Sequence, residues 1–332
     1  MSIIRIVFTV IILSFCFFAS TAQNLEYGLK YDGIGDNREF FSSHSDAETF
    51  LGSRVAFTTG TTLDSVHRFR GGLSYFYEYG SELLEQPMQL ILYYAFDNEK
   101  WGFTMGAFPR KENLFFPQAM ISEKYEYFNP TVDGLLIKYK SQKSNFNAFA
   151  DWMSRQDSVR REQFMAGFFG TYKTGNFIFE DYFYLFHNAG RIYRVEGEHM
   201  EDTMGASFLF GYNFSQYVPL DILTVKTGTL TSAYRNRGSG LDFQINTSSY
   251  SEIVADYKGY GIEAYLKFGS KHHFSHGDNY YNSAKEYVRT RFYFTLINTE
   301  KVKGRFMYSL HFSKERMDHQ QQFNLVYYLN QY

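Results

Sequence analysis

The stretch Val302–Ser313, VKGRFMYSLHFS, decides the fold. Val302, Gly304, Phe306, Tyr308, Leu310 and Phe312 fall on one side of an extended chain, and Lys303, Arg305, Met307, Ser309, His311 and Ser313 on the other. A strand sorts side chains with a period of two, whereas a helix would scatter these apolar positions around its circumference. The preceding segment does the same, with Val288, Thr290, Phe292, Phe294 and Leu296 opposite Arg289, Arg291, Tyr293 and Thr295. Upstream, Ile262, Ala264, Leu266 and Phe268 alternate with Glu263, Tyr265 and Lys267, and the pattern returns at Phe164, Ala166, Phe168 and at Phe208, Phe210, Tyr212, Phe214.

Working outward, about sixteen such runs are found, near 24–33, 51–60, 65–79, 87–97, 100–108, 130–140, 143–154, 160–173, 176–187, 203–214, 218–235, 249–257, 260–269, 286–297, 301–313 and 319–331. The connections are of two kinds in turn. Those after even strands are tight, at 61–64, 98–99, 141–142, 174–175, 215–217, 258–259 and 298–300. Most of those after odd strands are long and polar, such as 34–50, 109–129, 188–202 and 270–285. Outer-membrane barrels show this asymmetry of short periplasmic turns and longer external loops. Pro87, Pro130 and Pro219 open strands, and Pro109 and Pro117 share one long loop, so none interrupts a strand centre. Asp181 is a misfit, on one face with Phe177, Phe179 and Phe183, where a charge at the bilayer midplane costs about 2–4 kcal/mol. The run at 218–235 alternates poorly, and fourteen strands also fit.

Composition agrees. Aromatics make up 20% of the chain, with 29 Tyr and 36 Phe, yet mean hydropathy is negative. After the N-terminus no segment approaches about eighteen consecutive apolar residues, which excludes a helical membrane protein. A barrel accounts for both facts, because only alternate residues meet lipid and aromatic girdles mark the interfaces. A formal net charge of −2 gives no support for nucleic-acid binding.

The N-terminus, MSIIRIVFTVIILSFCFFASTAQ, has one early charge at Arg5, an apolar run from Ile6 to Phe18, and small residues at Ser20 and Ala22. This is the order of a secretory signal, with cleavage expected after Ala22 and the barrel domain spanning 23–332. The rival, a lipoprotein signal acylated at Cys16, is disfavoured by Phe15, which stands where a small residue is needed. The mature chain of about 310 residues then has no cysteine and no disulfide.

With these features the whole mature chain resembles the porin-type outer-membrane proteins of Gram-negative bacteria, and segments such as DNREFF (36–41), GAFPRK (106–111) and YFNPTVDG (127–134) look like those of functionally unassigned porin-like barrels. The ending QFNLVYYLNQY supplies the terminal aromatic, Tyr332, that the resemblance links to recognition by the barrel-assembly machinery. It departs in phase, since Tyr332 falls off the face formed by Phe323, Leu325, Tyr327 and Leu329. The resemblance also implies that the loop after the fifth strand narrows a pore, which would bring Arg110, Lys111, Glu112, Glu123, Lys124 and Glu126 to it, packed by Phe115 and Phe116. Otherwise that segment lies over the barrel mouth.

The polar faces carry Arg68, Arg70, Glu78, Lys138, Asp151, Arg161, Glu263, Lys267, Arg289, Arg291, Lys303 and Arg305, with cations in excess. Sixteen strands enclose room for water, so these residues are expected to line a polar conduit with mild anion preference. The alternative is an interior filled by salt bridges and loops. His272, His273, His276 and Asp278 have donor types suited to a metal, yet they read more simply as solvated loop residues, and no metal or other cofactor is expected. Ser309 and His311 share a strand face, but neither an orienting partner nor oxyanion donors can be assigned. Tyr75, Tyr77, Trp101, Tyr139 and Trp152 read as girdle and wall rather than sugar platforms.

The expected protein is therefore a single antiparallel transmembrane β-barrel in a Gram-negative outer membrane, in contact with its lipid. It passes small hydrophilic solutes passively and has no enzymatic activity. The runner-up is a closed barrel serving as scaffold for a surface or periplasmic complex, with an outer-membrane hydrolase behind it. Solute and oligomeric state stay open.

Overall fold

The computed structural model describes residues 25–193 and 195–330. The signal segment and Tyr332 lie outside the described residues. Sixteen strands form a closed antiparallel barrel. They are β1 (Leu25–Glu39), β2 (Glu48–Leu63), β3 (His67–Glu78), β4 (Gln89–Asp97), β5 (Trp101–Pro109), β6 (Thr131–Lys140), β7 (Ser144–Ser154) and β8 (Gln163–Thr174). The second half comprises β9 (Phe177–Asn188), β10 (Glu201–Asn213), β11 (Ile222–Asn236), β12 (Gln244–Tyr257), β13 (Tyr260–Gly269), β14 (Glu286–Asn298), β15 (Val302–Ser313) and β16 (Met317–Leu329). Every strand pairs with its sequence neighbours, and β1 closes the ring on β16 from Leu29↔Leu329 to Glu39↔His319.

The expected count of sixteen holds, and short and long connections alternate save at 214–221, eight residues after an even strand, and 314–316, three after an odd one. Two strand ends differ instructively. β1 runs on through 34–39, which reads as a loop because Gly33 and Gly35 occupy the outward positions. Its inward positions Asp32, Ile34 and Asp36 are buried, so the alternation is there but has no side chains to show it on the lipid side. β11 starts at Ile222, leaving Pro219 in the preceding turn rather than at a strand start. Asp181 faces outward as its register demands, opposite Gly170 and Phe208. A Cβ on Gly170 would lie 3.0 Å from the carboxylate, so the missing side chain makes space for this acid on the lipid face.

The outer wall is apolar and exposed, as at Phe57, Leu73, Leu90, Met105 and Phe208. The inner wall has a second apolar core, because two long connections turn into the lumen. The segment 110–130 carries α1 (Glu123–Phe128), capped by Ser122, whose hydroxyl accepts from Tyr125 N at 3.2 Å. The segment 270–285 carries α2 (Asn279–Ser283), capped by Asp278 through Tyr280 N at 2.9 Å. The two segments are tied by a parallel bridge between Ile121 and His276, with Ser122 N donating to His276 O at 2.8 Å and Asp278 N to Gln118 O at 3.1 Å. Together they form a plug. Leu114, Met120, Phe274, Tyr280 and Tyr281 pack against inward Phe108, Val132, Leu136, Phe149, Met165, Phe169, Tyr184, Leu209, Leu230, Tyr250 and Tyr287. Each large side chain removed from water stabilises the assembly by about 1.5–3 kcal/mol. Inward aromatics on β7 to β14 therefore face protein rather than a water column.

Candidate functional site

The inward cations divide by depth. Towards the short-turn end, Arg68 and Lys138 line a cavity of about 290 Å³ with Lys30, Asp97 and Glu112. Lys138 donates to Asn113 at 2.9 Å, and Arg70 is paired with Glu26. Lys303 and Arg305 stay exposed, the Arg305 guanidinium lying 4.4 Å over Tyr293. Towards the long-loop end the expected pore cations bind the plug. Lys267 is fully buried and donates to the carbonyls of Tyr281 and Ala284, Arg289 to Gln118, and Arg291 to Glu123 at 2.9 Å. Arg161 precedes β8 and sits at the rim, donating to Ala189 O at 2.7 Å and lying 3.4 Å from Glu198. These four residues are thus structural anchors of plug and rim rather than free pore lining.

The plug's own charged residues are mostly spoken for. Arg110 is buried in an ion pair with Asp151 at 2.6 Å, Glu112 pairs with Lys30 at 2.5 Å, and Lys124 with Glu48 at 2.5 Å. Lys111 lies 5.4 Å over Tyr127. Burial pushes the Glu126 carboxyl up to about 7, with Glu123 adding to the shift and Lys111 opposing it. The loop histidines diverge instead of converging. His272 sits between Ser232 and Ser248 at 3.1 and 2.6 Å, His273 stacks on Tyr234 at 3.7 Å, and His276 stacks on Tyr125 at 4.3 Å. Ser309 and His311 are buried and not joined, since Ser309 accepts from Arg291 while His311 contacts Tyr287 and Gln320.

A different constellation lies on the outer face. At the long-loop end the register places Trp152, Phe164, His187, Asp202 and Arg235 in one row across β7 to β11, each directly opposite the next. Directly opposed residues share a face, and alternation from exposed Phe177 and Phe179 in β9 and from Phe208 and Phe210 in β10 puts this row on the lipid side. Trp152 is half exposed and stacks on Phe164 at 5.5 Å, and Phe164 meets the His187 ring at 5.2 Å. A bulge between Trp152 and Ser154 ends the regular pairing beside them.

The polar part of the row is closely bonded. His187 Nδ1 lies 2.6 Å from Asp202 Oδ1. Arg235 holds Asp202 Oδ2 from Nε and Nη2 at 2.9 and 2.6 Å, and Arg237 reaches both carboxylate oxygens at 2.9 and 3.3 Å. With Nδ1–H donating to the carboxylate, the ring is held in the tautomer whose Nε2 carries a lone pair. That nitrogen has no hydrogen-bond partner among the described residues. Two guanidinium groups against one carboxylate leave a net positive field beside it. The arrangement supplies an oriented base and cations suited to a developing oxyanion or an anionic headgroup.

The sequence alone does not disclose this site. His187 ends a strand, and Asp202 reads as loop, since the length of the intervening connection hides the register that sets them face to face. A polar residue continuing the outward series Phe177, Phe179, Phe183, Leu185 was the available signal.

A family model described as lipid A 3'-O-deacylase-type matches residues 19–332. Among solved structures, the chain is similar to the high-pH structure of Pseudomonas putida OprB, with 9% identity over 95% of this chain and 96% of that one, at a TM-score of 0.56. It is similar to a loop-deletion mutant of OmpT, an outer membrane protein of Vibrio cholerae, with 10% identity, 92% and 99% covered, and a TM-score of 0.55. Pseudomonas aeruginosa OccK5 (OpdH) follows, with 10% identity, 94% and 99% covered, and a TM-score of 0.54. These likenesses establish the fold, that of porin-type outer-membrane barrels. No curated protein matches the sequence. The family match is to enzymes, and it overturns the expectation of a chain without enzymatic activity.

Proposed function

Because the chain belongs to the lipid A 3'-O-deacylase-type family, we propose that it hydrolyses an acyl ester of a lipid A-type glycolipid in the outer leaflet of the outer membrane. The observation that carries this reading is the His187–Asp202 pair on the lipid side of the long-loop end, the level at which outer-leaflet headgroups meet a barrel. His187 Nε2 takes a proton from water, whose oxygen attacks the acyl carbonyl. Arg235 and Arg237 stand beside the oxyanion that forms. Collapse breaks the ester C–O bond, the imidazolium returns its proton to the leaving alkoxide, and a fatty acid and an alcohol result.

The test is fatty-acid release from lipid A in mixed micelles by purified, folded protein, followed by mass spectrometry. His187→Gln should lower release about 10²–10⁴-fold, the contribution typical of a positioned base. Asp202→Asn, which removes the acceptor fixing the tautomer, should lower it as well. Release that survives His187→Gln would move the chemistry elsewhere.

A second reading, passive passage of small hydrophilic solutes with mild anion preference, is supported by the cavity of about 290 Å³ at the short-turn end of the lumen. Arg68, Lys138, Lys303 and Arg305 there have no carboxylate partner within 4 Å among the described residues. On this reading the plug must yield before a solute passes.

A further inference from the structure

Inside the barrel and away from the outer-face row, a cleft of about 310 Å³ opens at the long-loop end between plug and wall. Among its charged residues, Arg289 and Asp278 have no ion-pair partner among the described residues, whereas the others pair off. Arg38 is held by Asp36 at 2.9 Å and Lys124 by Glu48 at 2.5 Å, while Glu123 engages Arg291 at 2.9 Å. Arg289, 2% exposed and also lining the cleft, has no carboxylate within 4 Å among the described residues. One nitrogen donates to Gln118, and Tyr265 covers the guanidinium face at 4.5 Å. Nε and Nη2 have no acceptor among the described residues. His276, on the facing loop, lines the same cleft, and its Nε2 likewise has no partner among the described residues. A buried guanidinium with unfilled donors carries a desolvation cost that a bound anion would offset.

We propose that this cleft binds a small oxyanion, a phosphate or carboxylate group on a water-borne solute, held by Arg289 Nε and Nη2 with His276 Nε2 as third contact. The cleft is lined by plug residues and by inward-facing Arg289 and Gln320, away from the lipid side of the wall, which favours a free solute over a lipid headgroup. Ser275 and Asn279 at its edge are placed to meet polar groups on the remainder of the solute. Asp278 faces the same space, so one anionic group fits better than two. Burial raises the Asp278 carboxyl pKa and lowers that of His276 to about 4, so near neutral pH His276 stays uncharged and Arg289 supplies the charge.

The probes are inorganic phosphate and acetate, titrated calorimetrically into folded, detergent-solubilised protein. Saturable binding of at least one is expected, weakened at least about tenfold by Arg289→Gln, the loss expected for charge-assisted hydrogen bonds. It should be unchanged in His187→Gln. His276→Phe keeps the stack on Tyr125 while deleting Nε2, so it serves if Arg289→Gln does not fold, and it should weaken binding several-fold. No saturable binding to folded wild-type protein, or binding that neither variant alters, overturns the proposal. Competition by phosphatidylglycerol added to the micelles would make this a headgroup site and overturn the assignment to a free solute.

Discussion

Glu126 shows how a single carboxyl reports on the plug. Burial holds it neutral up to about pH 7, well above the carboxylate range it returns to on unfolding. The unfolded chain therefore ionises first as pH rises, and stability is lost between roughly pH 4 and 7. Glu126→Gln should match the wild type near the lower limit and exceed it by about 3 kcal/mol at pH 8, read from denaturant unfolding. An equal difference at both pH values would place the carboxyl in water. The loop histidines behave oppositely. Burial lowers His272 to about 3 and His276 to about 4, so acidification below their unfolded value near 6.5 favours the unfolded chain. At this scale residue type was legible in the sequence, while partnership was not. His187 meets Asp202 through a register set across a long connection, whereas Ser309 and His311, close in sequence, turn to different partners.

Among the elements, the plug depends on a few deep anchors. Arg110 ties the start of the inward segment to Asp151 on β7 and to the carbonyls of Asn129 and Thr131 at 2.7 Å each. Removing one partner of a buried ion pair leaves the other uncompensated, at about 3–5 kcal/mol. Arg110→Ala should therefore loosen the segment 110–130 and make it accessible to limited proteolysis while the barrel keeps its heat-dependent gel mobility. A protease-resistant variant would show that the apolar contacts of Leu114 and Met120 suffice. This segment turns inward as a plug whose charges are mostly paired, and its partner, the segment 270–285, has the composition of a solvated loop. Phe274, Tyr280 and Tyr281 were in plain view there, but the surrounding His, Asn and Ser residues mask a core whose other half lies on the inner wall.

For the whole molecule, a lumen plugged at its long-loop end predicts that purified protein in a planar bilayer conducts little or not at all, and that deleting 111–128 produces stable, larger steps. Large steady conductance in the intact chain would mean the plug does not hold in the membrane. Strand number, antiparallel order and the two kinds of connection were determined by the sequence itself, because lipid on one side and protein on the other impose a period of two that each strand records locally. The alternation says which residues face inward, but not what they meet there. Whether Arg289 and Lys267 see water or a loop, and whether His187 finds Asp202, depends on contacts between segments far apart in the chain. Only the closed barrel, by setting register and bringing two long connections into one lumen, decided them.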